Sequence, residues 1–157
     1  MKTIEKVDFK KTLKHLYAPK KGAFQVVEVP EMQFLMVDGQ GDPNTAQSYA
    51  DAIQALYAVA YGLKFSCKTQ LEKDFVVAPL EGLWWADSPD AFHRQLDKDS
   101  WKWTAMIHMP EWCYCARMTC KRSARNVKTV ITIRKKCKIM KFTGVSALIV
   151  LTATCRG

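Results

Sequence analysis

Two stretches of the chain alternate apolar and polar positions with the two-residue period of a half-buried strand: FVVAPLEGLWWA at 75–86 and SWKWTAMIHM at 100–109. In the first, Glu81, Leu83 and Trp85 share one face, and Gly82 and Trp84 share the other. Trp84 and Trp85 are adjacent, so they cannot both enter one core. One of them meets a second layer, solvent or a ligand. In the second stretch Trp101, Trp103, Ala105, Ile107 and Met109 alternate with Lys102, Thr104, Met106 and His108. Paired, the two strands gather tryptophans in neighbouring positions. That makes either an aromatic-rich core or an aromatic wall for a flat ligand, with Glu81 or His108 as a polar anchor. AFQVVEVP at 23–30 and MQFLMVDGQG at 32–41 read as two further strands, the first ended by Pro30 and the second by a Gly-rich turn.

The helical period appears twice. Residues 8–17 place Phe9, Leu13, Leu16 and Tyr17 on one face behind Asp8 as a cap. Residues 42–65 form the longest helix, capped by Asn44 or Thr45. Along it Ala46, Tyr49, Ala50, Ile53, Leu56, Tyr57, Ala60 and Tyr61 recur at spacings of three and four. A stripe of this kind is core packing. Its three tyrosines allow another role, because each buried hydroxyl needs a partner, and one or two of them could edge a pocket. The order helix, strand, strand, long helix, strand, strand predicts an α+β fold: an antiparallel sheet with the long helix packed across it. Such a half-sheet has one open face, which a partner half or self-association would cover.

Charge divides the chain. The 157 residues carry a net charge of +9, yet residues 1–112 hold 13 Lys/Arg against all 15 Asp/Glu. Residues 113–157 hold the other 11 Lys/Arg, no acid and five of the six cysteines, while all six prolines precede them. This composition break separates a first unit, 1–112, from an atypical basic tail, 113–157. The basic excess is confined to that tail, so no specific nucleic-acid partner is expected. The tail ends in FTGVSALIVLTATC, too short to span a bilayer, and no membrane association is expected. A 45-residue segment with no acid is improbable at ordinary composition, and out-of-frame translation accounts for it. Met140-Lys141 must be encoded ATG-AAR, and reading from the last base of ATG yields glutamate. The charged N-terminus is not a secretory signal, which places the protein in the cytoplasm with its cysteines reduced.

No cofactor or metal site is expected. VDGQGDPN at 37–44 has a Gly-x-Gly turn before a helix, but Asp38 and Asp42 flank it and would repel an anion. Neither the dinucleotide fingerprint nor the P-loop lysine is present. His15, His93 and His108 lack metal-ligand spacing, and Cys113-x-Cys115 followed by Cys120 lacks a second ligand pair.

Residues 8 to about 112 resemble the GyrI-like small-molecule-binding family, in its stand-alone branch. The resemblance rests on LYAP (16–19), VDGQGDPN (37–44), YADAIQALYAVAYGLKF (49–65), DFVVAPLEGLWW (74–85) and WKWTAMIHMPEW (101–112). It implies a pseudo-twofold pair of strand–helix–strand–strand units around a cleft for flat, often cationic, aromatic compounds. Members of that family are effector domains of multidrug-sensing regulators, a gyrase-inhibitory protein and, in this branch, hydrolases that open the cyclopropane of DNA-alkylating natural products. Carried onto this chain, the resemblance makes Trp84 or Trp85, with Trp103, the aromatic clamp. Tyr57 and Tyr61 stand at the cleft edge, His108 contacts the ligand, and Glu81 is the acid that positions or deprotonates water. The second unit, which in the family carries a glutamate and a tyrosine important to ligand chemistry, is not recognisable after Pro110, which implies impaired hydrolysis. The rival readings are a non-enzymatic drug-binding or sensing module and a gyrase-binding inhibitor.

Overall fold

The structure, a computed structural model, describes Ile4 and residues 6–18, 25–27, 29–88, 90–93, 97–113, 132–136 and 141–143. Most of the basic tail, including four of its five cysteines, lies outside the described residues.

Three alternating runs build the centre: β3 (Met32–Gln40), β5 (Leu80–Trp85) and β6 (Lys102–Met109). β6 pairs antiparallel with both of the others, with Leu35 opposite Ile107, Glu81 opposite Met106 and Trp84 opposite Trp103. β7 (Thr132–Lys136) pairs antiparallel along the other edge of β3, so the sheet order is β5-β6-β3-β7. The helix α3 (Gln47–Gln70) packs across this sheet. The fold is α+β, an antiparallel sheet with a long helix across one face. No helix among the described residues is long and apolar enough to cross a membrane.

The helix sits differently from the sequence expectation. It begins at Gln47, behind an Ala46 cap that has no side-chain hydrogen bond. The residues expected to cap it are engaged in the turn before it. Asp42 Oδ1 accepts both the backbone N–H and the side-chain amide of Asn44, and the Thr45 and Ala46 N–H groups donate to the Asp42 carbonyl. Gly41, at φ +115, makes this turn possible. At the other end the helix runs five residues beyond Phe65, because Cys67 continues the buried stripe one turn past Leu63. The stripe itself is rotated. Ala52, Ala55, Leu56, Val59, Ala60, Leu63 and Cys67 face the sheet, while Tyr49 and Tyr57 flank it and Tyr61 is 47% exposed. Alanines allow the helix close to the sheet, and tyrosines at the flank keep their hydroxyls near water.

Smaller elements hold the ends. α1 (Phe9–Thr12) and α2 (Lys14–Tyr17) replace the single helix expected over 8–17, with the break at Leu13. Asp8 caps α1 by accepting the Lys10 N–H. β1 (Lys6–Val7) pairs parallel with β4 (Asp74–Phe75). Pairing in the expected strand 75–86 switches partner near Pro79, which has no N–H to donate. Val76 still bonds to the Val7 carbonyl, and the ladder to β6 starts at Leu80. β2 (Gln25–Val27) pairs antiparallel with β8 (Lys141–Thr143) rather than with β3. α4 (Asp90–His93) and a 3-10 turn at Lys98–Ser100 occupy the connection between β5 and β6.

The sheet face away from α3 is not bare. Phe34, Met36, Leu83 and Met106 are buried there beneath Leu13, Leu16, Tyr17, Val27 and Val29.

Candidate functional site

Strand alternation delivers Glu81 and His108 to that second face. Glu81 stands opposite Met106, and His108 lies two residues farther along β6, so the carboxylate and the imidazole are diagonal neighbours. The end of α2 brings a third group. The Tyr17 hydroxyl donates to Glu81 Oε1 at 2.7 Å and lies 3.2 Å from His108 Nδ1. Glu81 is 9% exposed and His108 5%. A carboxylate so deeply placed is tolerable only when hydrogen bonded.

A phenol has one proton. With that proton committed to the carboxylate at the shorter distance, the phenolic oxygen accepts from His108, which assigns a proton to Nδ1. The trio is then a directed chain, His108 Nδ1–H to Tyr17 Oη–H to Glu81 Oε1. Burial, and then the negative charge of Glu81 and the hydrogen bond to it, push the Tyr17 phenol far above its ordinary pKa. Tyr17 therefore remains a neutral donor at physiological pH. His108 is flanked by tilted aromatic rings: the Phe9 ring centroid is 3.9 Å away and that of Phe34 is 5.3 Å away. Farther along the same face the Thr104 hydroxyl donates to Asp38 Oδ1 at 2.6 Å. The result is an apolar strip, Phe34, Met36, Leu83 and Met106, with polar groups at both ends. Chemically, a buried carboxylate held in place by a phenol hydrogen bond can orient and deprotonate a water molecule.

The other sequence-chosen residues divide between two places. Trp85 lies on the Glu81 face and packs against Leu83 and its neighbours. Trp84 and Trp103 lie on the helix face, paired across β5 and β6. Trp103 is 1% exposed, with Tyr49 edge-on at 4.9 Å, and its indole spreads over Gly39, where a Cβ would come within 2.2 Å of the ring. Gly39 is thus a packing glycine. Trp84 is tilted against Tyr49 at 5.6 Å and meets Trp101 edge-on at 6.2 Å. Tyr57 and Tyr61 line a pocket of about 270 Å³ with Phe9, Lys10, Val77 and Pro79. Phe9 borders both this pocket and His108. Of the residues chosen from sequence, the structure joins Glu81 and His108 in one cluster. It adds Tyr17, which had been read only as part of a helix face and of LYAP. No local spacing could link Tyr17 to Glu81, 64 positions away.

Among the described residues, no group of three or more His, Cys, Asp or Glu side chains is arranged to hold a metal ion.

No family model matches the chain, and no curated protein matches it. Solved structures do. An uncharacterized conserved protein from Listeria innocua is 35% identical, with a TM-score of 0.65, over 86% of this chain and 70% of its own. A hydrolase from Listeria innocua is 36% identical, with a TM-score of 0.63, over 87% of this chain and 70% of its own. A further structure of a hydrolase from that organism is 34% identical, with a TM-score of 0.63, over 90% of this chain and 74% of its own.

Proposed function

This chain belongs to the family of these Listeria innocua proteins, hydrolases among them, and from that premise we propose that it is a hydrolase acting on a flat aromatic small molecule. In finer detail, we read it as a GyrI-like small-molecule-binding protein that opens the strained ring of cyclopropane-bearing alkylating compounds. The observation that carries this reading is the buried Glu81 carboxylate, held at 2.7 Å by Tyr17 on the sheet face away from the helix.

In this mechanism Glu81 takes a proton from water as the water oxygen attacks a ring carbon. The carbon–carbon bond breaks, and its electron pair passes to the acceptor group conjugated with the ring. Tyr17 aims Glu81 by donating to its Oε1, and His108 in turn holds the Tyr17 hydroxyl. The pocket bordered by Tyr57 and Tyr61 offers electron-rich faces to the planar body of the ligand, which suits a cation. Phe9 touches both the pocket and His108, and its displacement is what this reading needs for the ligand to reach the Glu81 face.

The test compares wild type with Glu81→Gln on a cyclopropane-bearing alkylator, following the hydrated product by chromatography. Ring opening above the buffer rate, reduced about 100-fold in the variant, is the expected result. Ligand-induced tryptophan quenching with no product from the wild type would leave the protein a non-enzymatic binder. One observation favours that second reading: the trio is already mutually satisfied and nearly closed to solvent.

A further inference from the structure

A pair of thiols at the end of the sheet is independent of the hydrolase reading. Cys67 is the last buried position of α3, and Cys113 follows β6 in a turn whose backbone N–H bonds back to the Pro110 carbonyl. The two residues are 46 positions apart, both are fully buried in one core cluster, and their sulfurs are 3.2 Å from each other. We propose that Cys67 and Cys113 are an oxidative cross-linking site, converted to a disulfide by a small-molecule disulfide such as oxidised glutathione.

Geometry favours the pair over any alternative fate. A disulfide has its sulfurs about 2.05 Å apart, so the link needs these two sulfurs to close by roughly 1 Å. Neither thiol is exposed, and buried thiols react only when the structure opens around them. The opening segment is identifiable. Residues 110–113 form a surface turn with Glu111 exposed. Trp112 holds that turn down by lying edge-on to Phe75 at 5.9 Å, under the Lys73 ammonium at 5.3 Å. When the turn lifts, the thiolate of one cysteine attacks the glutathione disulfide and releases one glutathione thiol. The second cysteine then attacks the mixed disulfide and releases the other. Two protein thiols are oxidised and one glutathione disulfide is reduced to two thiols. The product ties α3 to the end of the strand that carries His108, five residues before Cys113.

The measurement uses the full folded chain. It is incubated with a graded series of oxidised glutathione, alkylated and mapped by peptide mass spectrometry, with melting temperature recorded in parallel. The expected product is a Cys67–Cys113 linked peptide lighter by two hydrogens. The melting temperature should rise by about 10 °C, since closing a loop of this length constrains the unfolded chain. Dithiothreitol should reverse both. Cys67→Ala and Cys113→Ala should each abolish the rise, and either variant alone suffices if the other does not fold. Stable glutathione adducts without the link would overturn the proposal. So would a link that forms only in denaturant, or Cys67 and Cys113 joined to other cysteines instead of each other.

Discussion

The two faces of one sheet are made from the same strands and serve different ends. Toward α3, Leu35, Val37, Trp103, Ala105 and Ile107 meet alanines, leucine and valine of the helix, and the contact is apolar and aromatic. Away from α3, the alternate residues Glu81, Thr104 and His108 stand among Phe34, Met36 and Met106, and polar groups there bond to one another. Alternation alone separates them. A face with buried polar groups must be completed by other elements, here Tyr17 from α2, whereas an apolar face needs only shape.

The largest expected effect is on the helix face. Trp103→Ala removes a fully buried indole and should cost about 3–5 kcal/mol in denaturant unfolding. A loss below about 1 kcal/mol would mean that the face is less tightly packed than its burial implies. Next, Glu81→Gln keeps side-chain size and still accepts from Tyr17. It should lower hydrolysis about 100-fold, near 2.7 kcal/mol of barrier, with little change in melting temperature. If it instead destabilises the protein as Trp103→Ala does while leaving turnover intact, the second face is merely core. Gly39→Ala sharpens the first face again. Its Cβ would come within 2.2 Å of the Trp103 ring, so overpacking of about 1–3 kcal/mol is expected, and pairing it with Trp103→Ala should recover most of that loss.

The smallest effect belongs to Tyr17→Phe. Losing one hydrogen bond to a charged partner should cost roughly 1.5 kcal/mol at neutral pH. Its pH dependence is more telling. The folded phenol ionises above its unfolded value near 10, so the folded chain keeps a proton that the unfolded chain loses. Stability is intact below about pH 10 and declines as pH rises beyond it. Tyr17→Phe should flatten that alkaline decline, which chemical unfolding between about pH 9 and 11 would measure. An unchanged alkaline limb would mean that the hydroxyl is not held as the structure shows.

Much of this was legible in the chain. The two-residue period of 80–85 and 102–109 assigned Glu81 and Trp85 to one face and Trp84 to the other, because pleating leaves a strand no choice. The long helix was legible from its three-and-four spacing, since residues so spaced share a stripe whatever surrounds them. Its rotation was not. Which stripe faces the sheet depends on how closely the backbones approach, and alanines at 52, 55 and 60 settled that over the tyrosines. The start at Gln47 was equally hidden, because Asp42 and Asn44 can cap a helix or fold a turn, and only the Gly41 corner selects the turn. The purpose of Gly39 became visible only with Trp103 lying over it. The meetings of Tyr17 with Glu81 and of Cys67 with Cys113 span 64 and 46 positions. Periodicity reports on neighbours within one element, so contacts between elements that far apart exist only once packing has chosen which faces touch.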